Sequence, residues 1–362
     1  MIVQRVVMPV TDAVSWTVVD DGVPVEPVER YLAYLAALER SPNTVRAYAL
    51  SLKLWFEFLA AVDVEWAVVG VEDVARFVSW LRAPAANVIV LDTGVARRSP
   101  ATVNRHLAAV FGFYEHHARA GVTVAADLVA WRRVGRGSYK PLLHHVTKGR
   151  PIPTRPVKMP VVRQVPRTLT APEVVAVLAA CERARDRFLL HLLAETGMRV
   201  GQALGLRHAD FVSRSKEVRI VPRGDNANGA RAKLRSPALL PVSAGLVRLY
   251  SDYMHAEYGE VDSDYVFVNL WAGRIGQPMT YAAVHDLVAR LQARTGVDFT
   301  LHMLRHTRAT ELIRSGMAIE VVARLLTHRS STTTSQTYVH LDVADIRAAL
   351  RRAGWGDAGT DR

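Results

Sequence analysis

Ser41-Pro42-Asn43-Thr44-Val45 and Ser99-Pro100-Ala101-Thr102-Val103 are near copies, and each reads as the start of a helix. A serine side chain accepts from a backbone donor of the first turn, and proline fits the first helical position, where no donor is needed. After the first copy, Val45, Tyr48, Leu52, Trp55, Phe56 and Leu59 recur at helical spacing; after the second, Val103, Leu107, Val110, Phe111 and Tyr114 do so. Residues 28–38 and 72–82 (Val74, Phe77, Val78, Leu81) supply two more amphipathic helices, and four helices of ordinary length predict a small bundle. Its aromatic residues are expected in the core. Arg46, Lys53, Arg105 and His106 fall on the other faces, where they are candidates to meet a polyanion. The stretch from Ala83 to Arg98 lacks helical spacing and holds Val88-Ile89-Val90-Leu91, so an elaborated loop with a short strand is expected there. Residues 1–25 read as an N-terminal extension with no assignable task.

The chain has 362 residues, which suits two or three domains, and half of them are hydrophobic. Its net charge of +12 favours a polyanionic partner, nucleic acid being the commonest large one. The charge is concentrated. No acidic residue lies between Asp127 and Glu173, whereas Arg132, Arg133, Arg136, Lys140, Lys148, Arg150, Arg155, Lys158, Arg163 and Arg167 do. Pro141, Pro151, Pro153, Pro156, Pro160 and Pro166 lie in the same stretch and favour an extended path. A basic connector at 136–167 is therefore expected, either following phosphates or simply solvated. Cys181 is the only cysteine, which excludes an intrachain disulfide framework and points to a reducing compartment. No apolar run reaches membrane-spanning length and the N-terminus lacks a signal-peptide build. A soluble cytoplasmic protein with no membrane partner is expected.

Beyond the connector the pattern changes. Thr170-Ala171-Pro172-Glu173 starts a helix, and helices are expected at 171–184 and 186–196. Val218-Arg219-Ile220-Val221 and Leu239-Leu240-Pro241-Val242 flank a Gly- and Asn-containing stretch and suggest strands joined by a hairpin. Helices are expected again at 244–258, 281–294, 303–315, 318–326 and 342–352, giving a mainly helical domain with a small sheet.

Three segments of this domain carry groups suited to phosphate chemistry. There are no clustered carboxylates and no Cys/His spacing suited to zinc or magnesium, so no metal or other cofactor is expected. Charge on a five-coordinate phosphorus must then be balanced by arginine and lysine, with a nucleophile and an acid for the leaving oxygen. Thr196-Gly197-Met198-Arg199-Val200 breaks a helix and restarts one with Arg199 in its first turn. In Leu301-His302-Met303-Leu304-Arg305-His306-Thr307, His302 and Arg305 project from one helical face. Leu326-Thr327-His328 and Tyr338-Val339-His340 complete the set.

In this order the segments resemble the tyrosine recombinase (phage integrase) family, whose pattern runs T-G-x-R, a hairpin Lys, H-x-L-R-H, L-G-H, then a Tyr followed by His. The resemblance extends to the Ser41 helix start, which is similar to the family's DNA-clasping domain, and covers roughly residues 26–353. It implies a mainly α protein: a helical core-binding (SAM-like) bundle at 26–135, the linker at 136–167, a mixed α/β catalytic domain with a small antiparallel sheet at 168–356, and a tail at 357–362. It implies that Tyr338 attacks a DNA phosphate, giving a 3′-phosphotyrosyl link. Arg199 and Arg305 would clamp the non-bridging oxygens, His302 would take the tyrosine proton, His328 would donate to the phosphate, and Lys233 would protonate the departing 5′-oxygen. Lys233 is favoured over Lys216, which precedes the first strand. Arg46, Lys53, Arg105, Arg132, Arg133, Arg136, Lys140 and Arg223 are the candidate DNA-binding cations. The implied partner is double-stranded DNA with specific recombination sites, bound by a homotetramer assembled from free monomers. Val343, Ile346, Leu350 and Trp355 form a C-terminal stripe that would dock on a neighbouring subunit or on its own domain.

Three positions depart from the family pattern. Gln202 stands where an acidic residue usually orients the cluster, Thr327 replaces the usual glycine before His328, and the step from His328 to Tyr338 is one residue longer. Two other readings use the same groups: a type IB topoisomerase that relaxes supercoils, and a non-catalytic DNA-binding relative. The resemblance also implies a transposon or phage integrase.

Overall fold

The computed structural model describes residues 1–7, 14–84, 97–124, 128, 130–132, 152–154, 156–161, 166–234 and 236–327. The chain divides into two compact units, Met1–Arg163 and Gln164–Arg362.

The first unit is the expected helical bundle with an addition. Its helices are α1 (Glu26–Ala37), α2 (Pro42–Ala61), α3 (Val71–Arg82) and α4 (Pro100–Arg119). The twin starts work as their sequence suggests: Ser41 Oγ accepts from the Thr44 amide at 3.2 Å, and Ser99 Oγ from the Thr102 amide at 3.3 Å. Trp55, Phe58, Phe77, Phe111, Phe113 and Tyr114 are fully buried together. The polar ends of two of them are satisfied, since Trp55 Nε1 donates to the Tyr114 hydroxyl, which donates in turn to the Trp66 carbonyl.

The addition comes from residues 1–25. β1 (Ile2–Val7), β2 (Val14–Asp20) and β3 (Val23–Pro24) form an antiparallel sheet in which Ile2 lies opposite Val19 and Val7 opposite Val14. Asp21 and Gly22 have φ of 45° and 85°, so a two-residue turn joins β2 to β3, the geometry that Asp-Gly favours. Val18 is fully buried against the bundle, and the Thr17 hydroxyl donates to Glu29 on α1. The extension is thus part of the first core.

His106, expected on an outer face, is instead buried, with Nδ1 3.0 Å from Ser51 Oγ on α2. Burial first, then the charges of Arg98 and Arg105, push its pKa down to about 4. The connector also differs from a simple extended path. β4 (Ala130–Arg132) pairs antiparallel with β5 (Ile152–Thr154), so the chain returns on itself. Asn104 on α4 then holds Met159 like a strand partner, donating to its carbonyl and accepting from its amide, both at 2.9 Å. The run Val88–Leu91 lies outside the described residues.

In the second unit α6 (Ala184–Thr196) is central, burying Phe188, Leu189, Leu190, Leu192 and Leu193. α5 (Ala171–Ala179) precedes it, started by a reciprocal pair in which the Thr170 amide donates to Glu173 and the Glu173 amide to Thr170 Oγ1. α7 (Val200–Ala203) leads to the sheet β6 (Phe211–Val212), β7 (Glu217–Ile220) and β8 (Ala238–Pro241), ordered β6-β7-β8 and antiparallel, with Glu217 opposite Pro241. α8 (Ala244–Tyr253) runs into one π-helical turn, Met254–Tyr258, closed by Gly259 at φ 55°. α9 (Tyr281–Thr295), α10 (Leu301–Arg314) and α11 (Ile319–Leu325) follow. The helix expected at 342–352 lies outside the described residues. Among the described residues no helix is long and apolar enough to cross a membrane.

His106 yields a prediction about acid. An unfolded imidazole titrates near 6.5 whereas the folded one titrates at about 4, so between these values the unfolded chain binds the extra proton. This contribution to stability is present above pH 6.5 and is lost as pH falls towards 4. Thermal unfolding followed from pH 7 to 4.5 should show a fall in Tm that is smaller in His106→Asn by roughly a few degrees.

Candidate active site

The site is built from the end of α6, the β7–β8 connection, the start of α10 and the turn after α11. α6 stops at Gly197, whose φ of 64° is left-handed. A methyl there would meet Leu326 Cδ2 at 2.7 Å, so the position needs glycine for space as well as for backbone conformation. The chain then turns past buried Met198 to Arg199, which caps α7 and is half-buried.

Arg305 comes up from α10 and is 1% exposed. Its Nη1 donates to the Gly197 carbonyl at 2.6 Å and its Nη2 to the Leu326 carbonyl at 2.5 Å. One guanidinium therefore joins the Thr-Gly-Met-Arg segment to the turn that precedes His328.

Gln202 lies behind these groups, 2% exposed. Its Oε1 accepts from the Arg199 amide at 2.7 Å, while its Nε2 donates to the Ala232 carbonyl at 3.2 Å and to Thr327 Oγ1 at 2.9 Å. Thr327 Oγ1 also accepts from Arg199 Nη1 at 3.4 Å. Thr327 has a φ of 54°, the left-handed region, where a β-branched residue is strained by about 1–2 kcal/mol. Two of the three departures from the family pattern, Gln202 and Thr327, therefore touch each other.

Lys233 follows Ala232 on the β7–β8 connection, exposed and with φ 54°. That connection is not a free hairpin tip. Asn228 Nδ2 donates to the carbonyls of Leu204 and Met279, and the Ala227 amide to the Tyr265 hydroxyl. Ala230 and Ala232 are buried. These bonds fasten the connection that carries Lys233. Partial burial first, then the charges of Arg305, Arg199 and Lys233, keep His302 below the usual imidazole range. The alternative lysine, Lys216, sits exposed in the turn before β7. Behind His302, the His306 ring lies 4.4 Å away, and burial first, then His302 and Arg305, push it down to about 4.

His328, Tyr338 and His340 lie outside the described residues, as do Arg133, Arg136, Lys140 and the C-terminal stripe; Arg132 is described only as backbone in β4. Of the other cations, Arg105 is exposed, Arg46 stacks over the Trp16 ring at 4.9 Å, and Lys53 pairs with Glu57 at 2.7 Å. Arg223, also a candidate DNA-binding cation, grips Asp210 with Nη1 at 2.6 Å and Nη2 at 2.8 Å and so fastens the β7–β8 connection. Sequence reasoning missed Thr307, whose Oγ1 accepts from the Leu169 amide at 2.8 Å and fixes the entry to α5. It also missed Thr327 as the partner of Gln202, because nothing local marks a contact between such distant positions. Among the described residues no group of three or more His, Cys, Asp or Glu could hold a metal.

Two arginines and a lysine around a neutral imidazole suit a phosphoryl group in transfer, and a helical bundle ahead of such a domain is the build of the tyrosine site-specific recombinases. The phage integrase family model matches residues 167–345, and the model of the phage integrase N-terminal SAM-like domain matches residues 28–121. Transposase A from transposon Tn554 of Staphylococcus aureus (strain N315) is 40% identical over 325 residues, 89% of each chain. Tyrosine recombinase XerD of Mycobacterium leprae (strain TN) is 31% identical over 332 residues, 88% of this chain and 94% of XerD. In fold the chain is similar to the Tn1549 transposon integrase in complex with transposon right end DNA (TM-score 0.59, 13% identity, 91% of this chain and 99% of that one). It is equally similar to a lambda integrase dimer bound to a COC′ core site (TM-score 0.59, 15% identity, 88% and 97%). The chain belongs to the phage integrase family and is a tyrosine site-specific recombinase.

Gly201 tests how tightly the lysine segment is seated. A methyl there would meet the Tyr281 hydroxyl at 2.2 Å and the Arg231 carbonyl at 2.8 Å, and the latter is backbone two residues before Lys233. Gly201→Ala should cost about 1–3 kcal/mol of stability and slow DNA cleavage, measured by thermal melting and by single-turnover assay.

Proposed function

We propose that this enzyme cuts and rejoins double-stranded DNA at specific sites through a covalent link to Tyr338. The observation that carries the reading is the geometry by which Arg305 joins the Thr196–Arg199 segment to the turn at Leu326–Thr327, while Gln202 bonds both the Arg199 amide and the Ala232 carbonyl beside Lys233. Tyr338 Oη forms a bond to phosphorus as the bond to the 5′-oxygen breaks. The phenol proton passes to His302, and Lys233 delivers a proton to the leaving 5′-oxygen. Arg199 and Arg305 offset the charge that grows on the non-bridging oxygens, and His328 donates to the same group. The nearby cations also favour the phenolate of a group that titrates near 10 when free. Rejoining runs the steps backwards from a new 5′-hydroxyl. The phosphotyrosyl bond conserves the energy of the cleaved one, so neither ATP nor metal enters the sequence of steps.

The same reading assigns residues 26–135 to clasping the duplex, 136–167 to a basic connector and 168–356 to catalysis. Arg46, Lys53, Arg105, Arg132, Arg133, Arg136 and Lys140 would contact backbone phosphates, which fixes position without reading sequence. The exposed Arg105 and the stacked Arg46 are the described cations best placed for this. The protein acts in the cytoplasm, on a mobile element, and assembles from monomers into a tetramer on paired sites.

A duplex nicked beside the cleavage site tests the chemistry, because loss of the short fragment traps the covalent adduct. Wild type should form it; Tyr338→Phe should form none while binding DNA with unchanged affinity, and an adduct from Tyr338→Phe sinks the reading. Lys233→Ala should be roughly 10²–10⁴-fold slower. It should recover when sulfur replaces the 5′-bridging oxygen, since a thiol titrates near 8.5 and leaves without a proton. In light scattering the free protein should run as a monomer and the complex with two sites as a tetramer.

A further inference from the structure

We propose that Gln202 and Thr327 form a neutral positioning pair that holds Arg199, the Lys233 segment and the turn before His328 in register, and that a carboxylate at 202 would disrupt it. The inference rests on the reading of Lys233 as the proton donor given above.

The hydrogen bonds fix which end of the amide faces which partner. The Arg199 amide can only donate, so it must meet Oε1, and the Ala232 carbonyl can only accept, so it must meet Nε2. Gln202 satisfies both from a site that is 2% exposed. A glutamate could still accept from the Arg199 amide and from the Thr327 hydroxyl. Its other oxygen, however, would oppose the Ala232 carbonyl where Nε2 now sits at 3.2 Å. Two buried acceptors facing each other repel, and the Ala232 carbonyl loses the donor it has now. The backbone at Ala232 would move away, and Lys233 is the next residue. The acidic residue usual in the family at this position would therefore harm this chain.

Thr327 completes the pair. Its hydroxyl accepts from Gln202 Nε2 and from Arg199 Nη1, tying the turn after α11 to both. It does so from a left-handed backbone at φ 54°, which glycine would adopt without strain. A residue kept there against its own backbone preference, with its oxygen on two donors of the site, points to a positioning role.

The test measures cleavage rate and DNA affinity on the nicked duplex, with oxygen or sulfur at the 5′-bridging position. It uses wild type, Gln202→Glu, Gln202→Met, Thr327→Gly and the double variant Gln202→Met/Thr327→Gly. Gln202→Glu should cleave roughly tenfold or more slowly at unchanged affinity, and sulfur should restore most of the loss. Thr327→Gly should keep its melting temperature within roughly a few degrees of wild type and still cleave more slowly. The double variant should be no slower than the slower single one within about twofold, because both remove one shared bond. The proposal is overturned if Gln202→Glu cleaves at the wild-type rate, or if the two single losses multiply. It is also overturned if sulfur restores Lys233→Ala but not Gln202→Glu. Wild type that forms no adduct on either substrate overturns the parent reading as well, and so separates the two failures.

Discussion

The catalytic domain depends on one buried guanidinium. Arg305, 1% exposed, holds the Gly197 carbonyl at the end of α6 and the Leu326 carbonyl at the end of α11. Removing a cation from water is costly unless it is surrounded by acceptors, and charge-assisted hydrogen bonds are about twice as strong as neutral ones. Burial therefore forces those two helix ends to converge on α10. The carbonyls at helix ends need donors in any case, so the site closes by meeting needs that three helices already have. Gly197 and Leu326 are close for the same reason, which leaves no room for a side chain at 197.

The remaining positions follow from that closure. With α6 and the turn at 326–327 fixed, Gln202 can reach both Thr327 and the Ala232 carbonyl, and so sets where Lys233 stands. The rest of the β7–β8 connection is fastened from the other side by Asn228 and by the Arg223–Asp210 pair, half-buried in the core wall. Burial first, and then the like charges of Arg305, Arg199 and Lys233, hold the His302 imidazole below its usual range. The repulsion is a property of the free enzyme that an anionic phosphate would offset.

The first unit shows a different economy. Its two Ser-Pro helix starts place α2 and α4 with the same cap, and His106 and Ser51 meet across the gap between them. The N-terminal sheet covers one side of that core through Val18, and Asn104 anchors the connector through Met159. Segments that look peripheral in sequence are structural because they supply apolar cover or backbone partners to a small bundle, which has little core to spare.

The sequence by itself determined the described helices, the order of the family's segments and the candidates for the reacting groups. These are set locally: by 3.6-residue spacing after Ser41 and Ser99, by Thr170 and Glu173 at a helix start, by Gly197 at a helix end. Asp21-Gly22 carried a hairpin signal of the same local kind, but the strand after it is only Val23–Pro24, too short to show alternation. Only the tertiary structure decided that His106 is buried, that Arg223 serves Asp210, and that Gln202 and Thr327 are partners. Periodicity places a residue on a face of its own helix, but which face is covered depends on segments far away in the chain. Hydrogen bonds between such segments form only after packing has brought them together, and no local pattern records them.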